Sequence, residues 1–157
     1  MDKTVQEFYG NRVRARVCGL CWEGEKLLLV NHYGLYDHDF WAPPGGGIEF
    51  GQSARDNLER ELREETGLEG AVGEFQFACE FIHGHFHAVE LFFAVNIKGG
   101  HVFKGTDPET GVKQIITEVR YLSIEEINGM PEKNKHGLFR EAKTGEKIRT
   151  LKGYLKI

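Results

Sequence analysis

Residues 53–67, Ser-Ala-Arg-Asp-Asn-Leu-Glu-Arg-Glu-Leu-Arg-Glu-Glu-Thr-Gly, read as one helix with both ends specified. Ser53 is a natural N-cap, Asp56 sits in the first turn where the helix dipole favours an acid, and Gly67 is a natural C-terminal stop. Counting about 100° per residue from Glu61, Glu64 falls at about 300° and Glu65 at about 40°, so three carboxylates share an arc of about 100°. Ala54, Leu58 and Leu62 fall at about 20°, about 60° and about 100°, a stripe that has to pack against a core. The acids flank and partly overlap the side that must be buried. This helix therefore demands an apolar layer to receive its stripe and, where its acids are desolvated, something positive among them.

Placement decides the energetics. Like-charge neighbours on an exposed helix cost only a few tenths of a kcal/mol. Partly desolvated carboxylates about 6 Å apart repel by roughly 3 kcal/mol per pair at an effective dielectric of about 20, before any penalty for burial. Arg60 projects at about 260°, beside Glu64, but one guanidinium cannot neutralise three acids. A divalent cation could, because clustered carboxylates supplemented by carbonyls and water suit hard ions such as Mg²⁺ and Mn²⁺. Taken alone, a glutamate-rich helix is more simply read as a solvated face.

The 157 residues suit one domain spanning 1–157, with enough chain for a real core. A net charge of -4 argues against holding nucleic acid by general electrostatic attraction. The opening MDKTVQEFYG lacks the apolar stretch of a signal peptide and no later run is long enough to span a bilayer, so a cytoplasmic protein without a membrane partner is expected. Cys18, Cys21 and Cys79 are too few for a structural zinc site and odd in number, which favours small buried residues.

Residues 12–17 alternate, with Val13, Ala15 and Val17 on one face of a strand and Arg12, Arg14 and Arg16 on the other. The arginines form either a solvated face, the plainer reading, or a row facing phosphates. Glu23 to Lys26 read as a turn before a buried strand at 27–30, and residues 31–47 as a shaped loop without regular structure. Segments 74–82 and 87–97 suggest an antiparallel hairpin, and 115–122 a further strand. Ser123 to Glu126 fit a capping box, and Pro131 fits the first turn of a helix running toward Lys143. His83, His85 and His87 read as exposed residues of a hairpin turn rather than a metal site.

From Gly46 the segment GGIEFGQSARDNLERELREETGL closely matches the pattern G-x5-E-x7-R-E-U-x-E-E-x-G-U, in which U is a bulky aliphatic residue. Arg60-Glu61, Leu62, Glu64-Glu65, Gly67 and Leu68 all fall in register, and the chain resembles the Nudix (MutT-like) hydrolases. An early strand, the approach Trp41-x-Pro-Pro-Gly-Gly and the late Arg120-Tyr121-Leu122-Ser123 look like the same family in layout.

The resemblance implies an α/β protein of the α+β type: a mixed β-sheet sandwiched between α-helices, with a loop-helix-loop that holds metal and pyrophosphate. It implies hydrolysis of a nucleoside diphosphate linked to another moiety, with Mg²⁺ or Mn²⁺ as cofactor. By match to the motif, Glu61, Glu64, Glu65 and the Gly45 carbonyl are the metal ligands, and Arg60 orients a carboxylate. Gln52 stands where the pattern has its first glutamate, bringing an amide without charge and implying weakened or shifted metal binding. The general base comes from the box or from outside it, where Glu109 and Glu118 are candidates, each readable as a mere surface acid.

Candidate substrate contacts are Arg14, Arg16, Tyr36, Trp41, Gly46, Gly47 and Gln52. Tyr36 and Trp41, with Tyr33 and Phe40, could stack on a base, although aromatics beside such a loop more often complete the core. The partner expected is a small-molecule nucleotide, with nucleoside triphosphates, sugar nucleotides and dinucleoside polyphosphates left open, as is a homodimer. The rival readings are a Nudix-fold nucleotide sensor that does not cleave its ligand and a diphosphate isomerase on the same scaffold.

Overall fold

The computed structural model describes residues 3–103, 116 and 118–157. A short helix, α1 (Lys3–Tyr9), precedes the long strand β1 (Arg12–Glu23). A turn at Gly24, whose φ of 59 suits glycine, leads into β2 (Lys26–Asn31). Then come α2 (Tyr33–Tyr36) and two short strands, β3 (Trp41–Ala42) and β4 (Gly45–Gly47). Helix α3 (Ala54–Thr66) is followed directly by the hairpin β5 (Leu68–His83) and β6 (Phe86–Gly100). Strand β7 (Glu118–Ser123), α4 (Ile124–Gly129), a 3-10 turn (Glu132–Asn134), α5 (Leu138–Glu141), α6 (Gly145–Thr150) and β8 (Gly153–Lys156) complete the order.

The strands form one mixed sheet in the order β3-β2-β1-β6-β5-β8, with β4 paired to β1 and β7 to β2. β1 runs parallel to β6, and β5 runs parallel to β8; the remaining pairs are antiparallel. Strand alternation sorts the core into two faces. Cys18, Leu20, Leu27, Leu29 and Phe92 point to one side and pack with Ile127, Leu138, Phe139 and Ile148 of α4, α5 and α6. Val17, Cys21, Leu28, Val30, Phe93 and Val95 point to the other and receive Leu58 and Leu62 of α3. Both leucines are fully buried, and each contributes roughly 2 kcal/mol by leaving water. The helices therefore sandwich the sheet, as expected.

The three cysteines are free and buried. Burial pushes the Cys21 and Cys79 thiols up to about 12, so neither is a thiolate near neutral pH.

Several sequence expectations need correction. Residues 31–47 hold α2, β3 and β4 rather than an unstructured loop, because Val30 and Asn31 pair with Ala42 and Trp41, and β1 pairs with the glycines. The helix expected from Pro131 toward Lys143 is replaced by the 3-10 turn and one-turn α5. Here Lys135 turns inward and its Nζ donates to the carbonyls of Ile127, Asn128 and Met130 at 3.3, 3.3 and 3.0 Å. Tertiary hydrogen bonds outweigh local helix preference there. Elements α1, α6 and β8 carry no signal strong enough to have been expected. The strand anticipated over 115–122 is observed from Glu118, and Glu109 lies outside the described residues.

Candidate active site

The cap and stop read from the sequence shape α3. Ser53 Oγ accepts from Asp56 N–H at 3.1 Å, and Gly67, at φ 78, donates to the Arg63 carbonyl at 3.0 Å. Ahead of the helix, β4 lies against β1 with Gly45, Gly46 and Gly47 opposite Cys18, Val17 and Arg16. The approach is too close for side chains. A Cβ on Gly45 would stand 2.1 Å from the Val17 carbonyl oxygen, and one on Gly46 would stand 2.6 Å from the Glu61 carboxyl carbon. Asn57, fully buried, clamps loop to helix: its Nδ2 donates to the Gly47 carbonyl at 3.1 Å and its Oδ1 accepts from Glu49 N–H at 3.0 Å.

Arg60 is the positive partner that the acid cluster requires. Its Nη1 lies 2.9 Å from Glu64 Oε2, and its Nη2 lies 3.1 Å from Glu61 Oε1 and 3.4 Å from Glu49 Oε1. Nε donates to Gln52 Oε1 at 3.2 Å. Partial burial disfavours the guanidinium charge, but Glu61, Glu64 and Glu49 outweigh it and raise the pKa above the ordinary arginine value. Glu65 is held separately, accepting from Gly45 N–H at 3.3 Å. Glu61 and Glu65 are 1% and 2% exposed, whereas the Glu64 side chain is 32% exposed, so only one carboxylate of the three reaches solvent substantially.

A cavity of about 350 Å³ opens on the sheet face opposite α3; of the three helix carboxylates Glu65 lines it and Glu61 and Glu64 do not. Arg14, Arg16, Tyr36, Gly45, Gly46 and Glu65 are among the residues lining it. Arg14 stacks over the Tyr9 ring at 4.1 Å, and Tyr36 lies 5.6 Å from the His38 ring at an interplanar angle of 13°. A basic floor beside flat, partly aromatic walls can receive a phosphate next to a planar group.

Trp41 packs in the hydrophobic core with Arg120 5.9 Å above its ring, and it is not among the cavity residues. Gly47 and Gln52 lie at the helix side of the site. Glu118 is partly buried on β7 and pairs with Arg120 at 3.2 Å, and it is not among the cavity residues. The structure adds residues that sequence reasoning missed: Glu49 and Asn57 on Arg60, and, lining the cavity, the buried Glu90, His136 and Cys18 with the partly buried His32. Glu90 carried a usable signal, being a charged residue between Val89 and Leu91 in an apolar strand. His136 carried none.

Among the described residues, no three His, Cys, Asp or Glu side chains are gathered as they stand into a group that could hold a metal ion. The donors themselves suit a hard divalent ion: Glu61, Glu64 and Glu65 offer only oxygen, and bare backbone at Gly46 leaves the Glu61 carboxylate unobstructed where a Cβ would collide with it. Gly45 lies at the same edge, where its N–H meets Glu65 Oε2.

The NUDIX domain family model matches residues 10–142. An RNA pyrophosphohydrolase of Bartonella clarridgeiae is 39% identical over 51 residues, covering 32% of this chain and 30% of that protein. An ADP-ribose pyrophosphatase of Methanocaldococcus jannaschii is 27% identical over 95 residues, covering 58% of this chain and 55% of the relative. The chain thus spans about a third to a half of the lengths of these relatives, 30% and 55%. Among solved structures, a NUDIX hydrolase from Nitrosomonas europaea superposes with a TM-score of 0.72 at 17% identity, over 90% of this chain and 93% of that one.

Proposed function

The chain belongs to the NUDIX domain family, and on that footing we propose that it is a hydrolase of phosphoanhydride bonds. It cleaves the diphosphate of a nucleoside diphosphate linked to another moiety, with water attacking phosphorus. The observation that carries this reading is that Glu65, from the same helix as the Arg60-bound Glu61 and Glu64, lines a cavity together with Gly45, Gly46, Arg14 and Arg16.

Glu61, Glu64, Glu65 and the Gly45 carbonyl would hold a divalent ion, Mg²⁺ or Mn²⁺, which when bound would supply charge neutralisation for the diphosphate and acidify water. Arg60 fixes Glu61 and Glu64 at 3.1 and 2.9 Å, so that the carboxylates need not reorganise during the reaction. Arg14 and Arg16 take phosphate oxygens at the cavity floor. Tyr36 and His38 supply a wall for the planar part of the substrate. Glu64, the α3 acid that reaches solvent, accepts the proton from water; Glu118 sits on β7 with Arg120, apart from the α3 carboxylates.

Gln52 supports a second reading, a nucleotide sensor on the same fold. Its amide oxygen is taken up by Arg60 at 3.2 Å and brings no charge to the metal-binding edge. Incubation with Mg²⁺ or Mn²⁺ and a panel of ADP-ribose, nucleotide sugars, nucleoside triphosphates, dinucleoside polyphosphates and RNA oligonucleotides separates the two. Hydrolysis abolished by Glu64→Gln is the expected result. Tight binding of a nucleotide without any turnover across the panel supports the sensor instead.

A further inference from the structure

We propose that Glu90 and His136 form a buried positioning pair that holds Arg16 as the phosphate-binding edge of the cavity, a role that rests on the pyrophosphohydrolase reading. Arg16 and Glu90 face each other across the parallel pairing of β1 and β6. Glu90 Oε2 accepts from Arg16 Nε at 3.3 Å and from Cys18 Sγ at 3.6 Å. Its Oε1 lies 2.8 Å from His136 Nε2.

The histidine is oriented from several sides. Its Nδ1 accepts from Leu138 N–H at 3.1 Å, which leaves the proton on Nε2 facing Glu90. Its backbone N–H donates to the Trp41 carbonyl at 2.9 Å, and its ring meets Phe92 edge-on at 5.5 Å. The neighbouring Lys135, bonded to three carbonyls at the end of α4, pins this segment against the sheet.

Glu90 is too acidic to be a proton shuttle. Burial alone would raise its pKa, but His136 and Arg16 outweigh that and hold it at about 2, so it stays a carboxylate near neutral pH. A carboxylate 7% exposed and bonded on both oxygens is suited to fixing a neighbour. Arg16, whose side chain is 23% exposed, is the member of the group that meets the cavity most openly. With Nε held by Glu90, the plane of its guanidinium is set before a ligand arrives, which lowers the ordering penalty of binding.

Removing Glu90 outright would have two opposed effects on an anion: loss of a nearby negative charge favours binding, and loss of Arg16 orientation disfavours it. Glu90→Asp separates them by keeping the charge while falling one methylene short of Arg16 and His136. Calorimetric titration of the full chain with inorganic pyrophosphate in Mg²⁺ reads the effect. Arg16→Ala and Glu90→Asp each weaken binding by about tenfold, and Glu90→Asp adds less than about twofold in the Arg16→Ala background. His136→Phe, similar in shape but without a donor, weakens binding likewise, and His136→Gln recovers much of it because its amide nitrogen can stand near the former Nε2.

Wild-type affinity in Glu90→Asp overturns the proposal, as does an undiminished effect of Glu90→Asp on the Arg16→Ala background. Failure of the wild-type chain to bind pyrophosphate also overturns it. If Glu90→Asp does not fold, the His136→Phe and His136→Gln comparison decides: equal loss in both overturns the pair. Pyrophosphate binding with the expected coupling but no turnover on any nucleotide would refute the hydrolase reading alone.

Discussion

Gly46→Ala tests whether the position of Glu61 matters to the chemistry. A Cβ at residue 46 stands 2.6 Å from the Glu61 carboxyl carbon and 2.7 and 2.9 Å from its oxygens. Ordinary contact begins at 3.4 Å, so the carboxylate has to retreat by about 0.8 Å. Glu61, on α3, is buried against Gly46 of β4 and tied to Arg60 Nη2 at 3.1 Å, which leaves little room for that retreat without disturbing the arginine that also orients Glu64. Overpacking of this kind costs about 1–3 kcal/mol of stability. Displacement of a positioned group by about 1 Å costs on the order of 100-fold in rate. The assay is kcat on whichever nucleotide the panel identifies, alongside urea unfolding. Gly129→Ala serves as control, since a Cβ there meets nothing within 4 Å. Activity of Gly46→Ala within about threefold of wild type, with stability reduced as estimated, would refute the reasoning.

Gln52→Glu restores a carboxylate beside Arg60 and should tighten Mn²⁺ binding by about threefold or more, read by calorimetry; unchanged affinity would show that the amide is a bystander. Lys135→Met removes the donor to three carbonyls at the end of α4 and should cost about 2–4 kcal/mol in urea unfolding, whereas a loss below about 0.5 kcal/mol would contradict its role as a pin. Burial, aided by the Arg16 charge, lowers His32 to about 4, so the folded chain holds this ring neutral while the unfolded chain protonates it first. Its contribution is therefore complete above about pH 6.5 and is lost as pH falls toward 4, amounting to about 2 kcal/mol by pH 5. His32→Gln should flatten the stability difference between pH 7 and pH 5; an unchanged slope would mean that the histidine titrates normally.

The parts of this fold that were legible in the sequence are those fixed by local chemistry. Ser53, Asp56 and Gly67 bound α3 as read, and its stripe of Leu58 and Leu62 is the stripe that is buried. The capping box at Ser123 and Glu126 is formed, with both reciprocal bonds present. What could not be read depends on contacts between distant residues. Nothing local tells that Glu49 and Gln52, from the loop before α3, converge on Arg60, or that Glu90 meets a histidine 46 residues away. The segment after Pro131 misled for the same reason: its helical pattern was overridden by the inward turn of Lys135. Trp41 shows the converse, a residue beside a ligand-like loop that the sheet claims for its core.

The central claim is that the α3 carboxylates are a divalent-cation site rather than acids merely neutralised by Arg60. Mn²⁺ titration followed by electron paramagnetic resonance, on the wild-type chain and on Glu64→Gln, measures this directly. The account predicts saturable Mn²⁺ binding in the wild type that weakens by at least about tenfold in the variant, with folding unchanged. Equal Mn²⁺ affinity in the two proteins, or none in either, would contradict it.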